Sequence, residues 1–213
     1  MAPRDYGQYC GVTRAVELVG ERWALLIVRD LLVGPRRYGE LAAGLPRIPS
    51  NILAARLKEL QAEGVLRRVP RSRVVVYELT PFGRELEPVV LALGAWGAKA
   101  MGDPREGQII TPDSMTVSLR TAFRPHVAAE LPATAYAAHV GPAELRIRVN
   151  GPALDVTRED GPVDLAFATG PGILRLLSGE LAPDRAIATG VVEVLRGRSE
   201  LLDRFATTFH LAA

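Results

Sequence analysis

A single cysteine, Cys10, in 213 residues leaves no internal disulfide to form, so a reducing compartment is the expected setting. Histidine is scarce as well. His126, His139 and His210 stand apart, none at i,i+3 or i,i+4 spacing from another ligand, so no metal site is expected. Long apolar runs are missing: Trp23–Val28 and Pro88–Ala98 fall well short of the ~20 residues that cross a bilayer. The opening MAPRDYGQYCG lacks a basic segment followed by an apolar core, so no secretory signal is expected and the cytoplasm is the expected location. Neither GxSxG nor GxxxxGK occurs, and nothing nominates catalytic residues or a cofactor; the expectation is a protein that is not an enzyme. Large net charge is also absent (+2), while 48% of residues are hydrophobic, which gives a packed core and excludes general disorder.

What charge there is lies unevenly. Residues 1–101 carry 15 Lys and Arg against 10 Asp and Glu, and the remainder carries 11 against 14. A modestly basic half joined to an acidic half predicts two domains with two tasks, the basic one able to face a polyanion. The Gly- and Pro-containing stretch 102–114 is the expected linker between domains at 1–101 and 115–213.

The first block predicts helix, helix, short helix, helix, then a hairpin. Val12, Val16 and Val19 recur at helical spacing, and Trp23–Leu32 is closed by Gly34-Pro35. Tyr38–Ala43 ends at Gly44, and Pro49–Glu63 carries Leu53, Leu57 and Leu60 on one side with Gly64 as its stop. Val65–Val69 and Arg73–Leu79 then alternate as strands, with Pro70-Arg71-Ser72 expected as the turn. Thr80-Pro81 caps a last helix in which Pro88 should produce a kink. This is the order of a winged helix-turn-helix, whose helix fits a DNA major groove and whose hairpin can follow phosphates.

At about 100° per residue, Asn51, Ala55, Lys58 and Ala62 oppose the leucines of Pro49–Glu63. Small alanines let such a helix approach base edges, and Asn51 can pair bidentately with adenine. Ser50 and the first-turn N–H groups can hold a phosphate. Arg56, toward the core edge, either braces the fold or reaches a phosphate. Arg67, Arg68, Arg71 and Arg73 crowd the hairpin without an acid between Val65 and Tyr77, and Arg36 and Arg37 make a second basic point. Either these guanidiniums meet phosphates, or the helix is merely solvated and the charges keep the hairpin from edge pairing. On the first reading Arg71→Ala weakens binding at all sequences.

The run from Tyr9 to Gly97 resembles HxlR-type winged-helix transcriptional regulators. The likeness rests on Cys10, Gly20-Glu21-Arg22-Trp23, Gly34-Pro35-Arg36-Arg37-Tyr38, Leu53…Arg56-Leu57…Leu60…Gly64 and Tyr77-Glu78-Leu79-Thr80-Pro81-Phe82-Gly83. It implies a homodimer on a two-fold double-stranded DNA operator, with Val12, Val16, Leu93 and Trp96 as candidates for the dimer seam or else as intradomain core. The order Ile48-Pro49-Ser50-Asn51 departs from the family's Ile-Ser opening and basic residue two positions on, which bears on the helix cap and the base preference. In several such regulators the cysteine matching Cys10 senses oxidants or electrophiles. A helix N-terminus can lower a thiol pKa, with Arg14 the only positive charge nearby in sequence; otherwise Cys10 is a small buried hydrophobe.

Residues 115–213 predict an α+β layered domain. Ala135–Val140, Glu144–Val149, Ala153–Thr157, Val163–Ala168 and Val191–Leu195 read as strands, several joined by Gly-Pro or Asp-Gly turns. Gly172–Ser178, Pro183–Ala188 and Ser199–Phe209 read as helices. The segments from Asn150 to Gly161 and Asp164 to Gly197 resemble sterol-carrier-protein-like domains. That resemblance implies an antiparallel sheet with helices and an apolar tunnel for a hydrophobic effector. Phe123, Tyr136, Leu165, Phe167, Leu174, Leu177, Phe205 and Phe209 are its candidate lining, or simply fill a dry core. The expectation is a DNA-binding regulator with an effector domain. The alternatives are a lipid carrier whose first block only dimerises and a thiol sensor working through Cys10.

Overall fold

The computed structural model describes residues 5–102, 105–141 and 143–211. The chain divides into two compact units, Met1–Val90 and Leu91–Ala213.

In the first unit, α1 (Gly11–Val19) is followed by α2 (Ala24–Val33), α3 (Tyr38–Gly44) and α4 (Ser50–Ala62). Ile27, Val28 and Leu31 of α2, Leu41 of α3, and Leu53, Leu57 and Leu60 of α4 are buried and form the core. Each such side chain withdrawn from water is worth roughly 1.5–3 kcal/mol of transfer free energy. Gly64 ends α4 with φ +72°, a left-handed geometry that a Cβ disfavours, while Val65 N–H donates back to Leu60 O at 2.9 Å. Arg14 reaches Glu63 at 2.8 Å and so ties α1 to the end of α4.

The hairpin follows as β1 (Leu66–Arg71) and β2 (Val74–Leu79), antiparallel, with Leu66 opposite Leu79 and Arg71 opposite Val74. Its turn is therefore Ser72-Arg73, not Pro70-Arg71-Ser72. Ser72 takes φ +53°, in keeping with the positive φ that two-residue hairpins need. Pro70 is tolerated inside β1 because that strand pairs only with β2, so its other edge asks for no N–H. Thr80 caps α5 (Pro81–Arg84) by accepting from Gly83 N–H at 3.1 Å. Gly83 is required there, since a Cβ would sit 2.0 Å from Val65 O. Pro88 does not kink one long helix. It lies in the first turn of a separate helix, α6 (Glu87–Ala98), where its missing N–H costs nothing.

The second unit is a sheet covered on one face by helices. α7 (Pro112–Ala122) and α8 (Pro125–Ala128) precede β3 (Thr134–Val140), β4 (Ala143–Asn150), β5 (Ala153–Thr157) and β6 (Leu165–Thr169). α9 (Ile173–Leu177), α10 (Pro183–Ala188), β7 (Val192–Gly197) and α11 (Leu201–Thr208) complete it. The sheet order is β5-β4-β3-β6-β7, and β3 runs parallel to β6. The expected antiparallel sheet is thus corrected to a mixed one. Residues 158–164 can span about 23 Å when extended, enough to carry the chain back along a strand before β6 begins. Alternating Tyr136, Ala138 and Val140 of β3, Leu145, Ile147 and Val149 of β4, and Leu165 and Phe167 of β6 face the helices and make one core with Leu119, Leu176, Leu202 and Phe205.

The expected linker 102–114 is not where the units part, because the division falls inside α6. Ala98 packs against the second core, and Thr121 of α7 lies 3.1 Å from where a Cβ on Gly94 would stand. α7 itself begins within that stretch, with Thr111 and Ser114 exchanging side-chain-to-backbone hydrogen bonds at 2.9 and 3.1 Å as a capping box. Asp103 and Pro104 of the expected linker, and Pro142 of one expected Gly-Pro turn, lie outside the described residues. Among the described residues no helix is long and apolar enough to cross a membrane, and no cluster of His, Cys, Asp and Glu could hold a metal ion.

Candidate nucleic-acid interface

Two local contacts assemble the basic elements of the first unit. The Tyr38 hydroxyl donates to Ser50 O at 2.8 Å, fastening the start of α4 to the start of α3. Arg36 and Tyr77 exchange backbone hydrogen bonds at 3.0 and 2.7 Å, so the Arg36-Arg37 segment lies along the free edge of β2. The stretch before α3, the first turn of α4 and the hairpin are thereby held within one unit. α4 begins after Pro49 with no side-chain cap, which leaves its first-turn N–H groups without the partner that a Ser or Asp would supply.

The exposed stripe of α4 comprises Ser50, Asn51, Ala54, Lys58, Gln61 and Ala62. It is rotated from the expected face: Ala55 is half-buried at its margin, while Ala54 and Gln61 join the exposed side. The signal was available, since both stand three residues from Asn51 or Lys58, but only the packing direction selects between neighbouring stripes. Arg56 is a correction. Its side chain lies on the leucine side, buried, with ion pairs to Glu21 at 3.2 Å and to Glu59, so it braces α4 and does not face solvent.

The hairpin arginines are not equivalent. Glu78, opposite Arg67, accepts from Arg67 Nε at 2.7 Å and from Arg71 Nη2 at 3.0 Å, and its side chain is nearly buried between them. Arg67 and Arg71 thus share one carboxylate, although both side chains remain more than half exposed. Arg68 and Arg73 are exposed and form no ion pair among the described residues. Arg37 is exposed at the cap of α3, whereas Arg36 is half-buried with Nη1 donating to Pro35 O at 3.0 Å.

The Arg67 hydrogen bond, then Arg71, holds the Glu78 carboxyl below its ordinary value of 4.5 against the opposing effect of burial. A carboxyl depressed on folding adds stability that is complete above its unfolded pKa and is lost as pH falls through the folded one. Acidification below about 4.5 should therefore loosen the hairpin, and Glu78→Gln should flatten that limb while lowering the thermal midpoint at pH 7; melting curves at pH 3, 5 and 7 check this.

Cys10 is exposed, not a buried hydrophobe, and its thiol is pushed down by the backbone N–H of Thr13, then that of Val12, then the Thr13 hydroxyl. Arg14, the one positive charge nearby in sequence, pairs with Glu17 and Glu63. Val12 and Val16 share an exposed face of α1, and Leu93 and Trp96 are exposed on α6, so none of the four is core. Val89, one turn before Leu93, is exposed with them.

The eight apolar candidates of the second unit behave as core. Tyr136, Leu165, Phe167, Leu177, Phe205 and Phe209 are fully buried; Phe123 and Leu174 are half-buried. The rings interlock around Phe205, with centroids 5.2 Å from Tyr136, 5.2 Å from Phe167 and 4.7 Å from Phe209, and Phe123 stands 5.7 Å from Phe209. Burial pushes the Tyr136 hydroxyl up to about 12.

Three helices before a recognition-type helix and a two-stranded wing define the first unit as a winged helix-turn-helix. The HxlR-like helix-turn-helix family profile matches residues 18–104. The uncharacterized HTH-type transcriptional regulator YvaP of Bacillus subtilis is 38% identical over 89 residues, covering 40% of this chain and 82% of that protein. Rv3095 of Mycobacterium tuberculosis, another uncharacterized HTH-type transcriptional regulator, is 44% identical over 96 residues, covering 44% of this chain and 60% of its own length. A crystal structure of the HTH-type transcriptional regulator YtcD is 35% identical and covers 43% of this chain and 96% of that one, with a TM-score of 0.41. The chain belongs to the HxlR-like helix-turn-helix family and is a transcriptional regulator of that DNA-binding class. These matches lie in the N-terminal part of the chain.

Proposed function

We propose that the chain binds a two-fold operator in double-stranded DNA as a homodimer, with α4 in the major groove and the β1–β2 wing along the flanking phosphates. The observation that carries this is the pairing of a small-residue, Asn- and Lys-bearing α4 surface with two unneutralised wing arginines, Arg68 and Arg73, in one unit. Asn51 is the reader of a base edge, while Lys58, Arg37 and the uncapped first turn of α4 position the backbone. A second copy covers the exposed Val12 and Val16 of α1 and the exposed Leu93 and Trp96 of α6. A hydrophobic effector of the second unit would enter beside Phe123 and Leu174, the two of its eight candidate residues that are not fully buried.

Fluorescence anisotropy with the DNA upstream of the protein's own gene tests the reading. Saturable binding is expected, with log K falling against log salt at a slope near −7 if Arg37, Lys58, Arg68 and Arg73 of both copies each meet a phosphate, at about 0.9 per contact. Asn51→Ala should cost about 1–3 kcal/mol at one base pair and relax the choice there. Absence of saturable binding at moderate salt would favour a carrier whose first unit only dimerises.

A thiol-based response is a second reading, favoured by the exposure of Cys10 and the backbone N–H groups that stabilise its thiolate. Cys10→Ser is then expected to abolish any oxidant-induced change in DNA affinity; a retained change would eliminate it.

A further inference from the structure

Beside the first turn of α4 the first unit holds a groove of about 330 Å³. Its walls are the Trp23 indole, Pro49 and Ile52; Arg22 and Arg47 stand at the rim, and the Arg56–Glu21 ion pair completes the lining. The volume is at the lower end of the range for small-molecule sites.

Two features of this lining point to a ligand. Trp23 sits in the left-handed region, at φ +81° and ψ −23°, a backbone that a bulky aromatic residue adopts only when its surroundings impose it. That turn presents the indole to the groove, with the Arg22 guanidinium 5.2 Å above the ring. Next, Arg22 and Arg47 are exposed and form no ion pair among the described residues, whereas Arg56 is already balanced by Glu21 and Glu59. The rim therefore carries two cations in excess.

We propose that this groove binds a small aromatic carboxylate. The aryl ring lies against Trp23, Pro49 and Ile52, and the carboxylate faces Arg47 and Arg22. A bare phosphate satisfies the cations but leaves the indole, proline and isoleucine walls uncovered, so the apolar body is part of the recognition. Pro49 and Ile52 flank and belong to the first turn of α4, so an occupant also lowers duplex affinity; that consequence alone rests on the proposed DNA reading.

Benzoate is the probe, titrated into the full chain carrying Trp96→Phe, which leaves Trp23 as the sole tryptophan for selective excitation at the red edge of the indole band, and into the unsubstituted chain by saturation-transfer NMR. Saturable binding is expected in both, weakened at least ten-fold by Arg47→Ala, with benzyl alcohol and inorganic phosphate ineffective. Non-saturable titration in both would overturn the proposal, as would binding indifferent to Arg47→Ala or an equal response to benzyl alcohol. Equal competition by inorganic phosphate would make the groove a plain anion site of the kind a DNA backbone fills, and would also overturn it. Benzoate binding is read without DNA, so loss of one activity with retention of the other separates this proposal from the DNA reading.

Discussion

Replacing Arg68 and Arg73 together by alanine should weaken duplex binding on the order of 10²–10³-fold at physiological salt, to a similar degree at every sequence. These two wing cations are not neutralised within the described structure, and a dimer would lose four phosphate contacts with them. Each contact contributes about 0.9 to the slope of log K against log salt, so the slope should become shallower by about 3.6. Folding should be unaffected, because both side chains lie in solvent. Arg71→Ala should do less to binding, since that guanidinium already serves Glu78 at 3.0 Å and its removal leaves Arg67 to hold the carboxylate. Anisotropy titrations at several salt concentrations decide the matter. An unchanged slope in the double variant would remove the wing from the interface.

Phe205→Ala is expected to destabilise the second unit by about 3–5 kcal/mol, the range for deleting a large ring from a packed core. Phe205 stands between Tyr136, Phe167 and Phe209, all three with centroids within about 5.2 Å, so its loss opens a void that no neighbour can fill without leaving its own partners. Denaturant unfolding followed by near-ultraviolet circular dichroism should show a lower midpoint at unchanged m. A cost below about 1 kcal/mol would mean that these rings are loosely packed and the space around them adaptable, as a tunnel requires.

Much of the local structure was legible along the chain. Leu53, Leu57 and Leu60 followed by Gly64 define α4 because helical spacing and a left-handed stop are both sequence-local. Ala153–Thr157 and Pro183–Ala188 have the same bounds in sequence and structure for the same reason. The opening of α7, Thr111-Pro112-Asp113, is a sequence-local cap and first turn, set in a stretch whose Gly and Pro content also suits a linker. The parallel pairing of β3 with β6 was not readable at all, since alternation of side chains is identical in parallel and antiparallel strands.

The chemistry of the site divides similarly. That basic residues cluster on a hairpin beside an amphipathic helix follows from order alone. Which of them are available does not. Arg56 is taken by Glu21, 35 residues earlier, and Arg67 and Arg71 by Glu78 across a strand register that shifts the turn to Ser72-Arg73. Hydrophobic period and turn chemistry act over a few residues, so the chain itself determined its helices, its wing and its membership among DNA-binding regulators. Ion pairing and burial act between residues brought together only by folding. The tertiary structure therefore decided which arginines stay unneutralised, which aromatic rings fill a core, and that a groove opens beside Trp23.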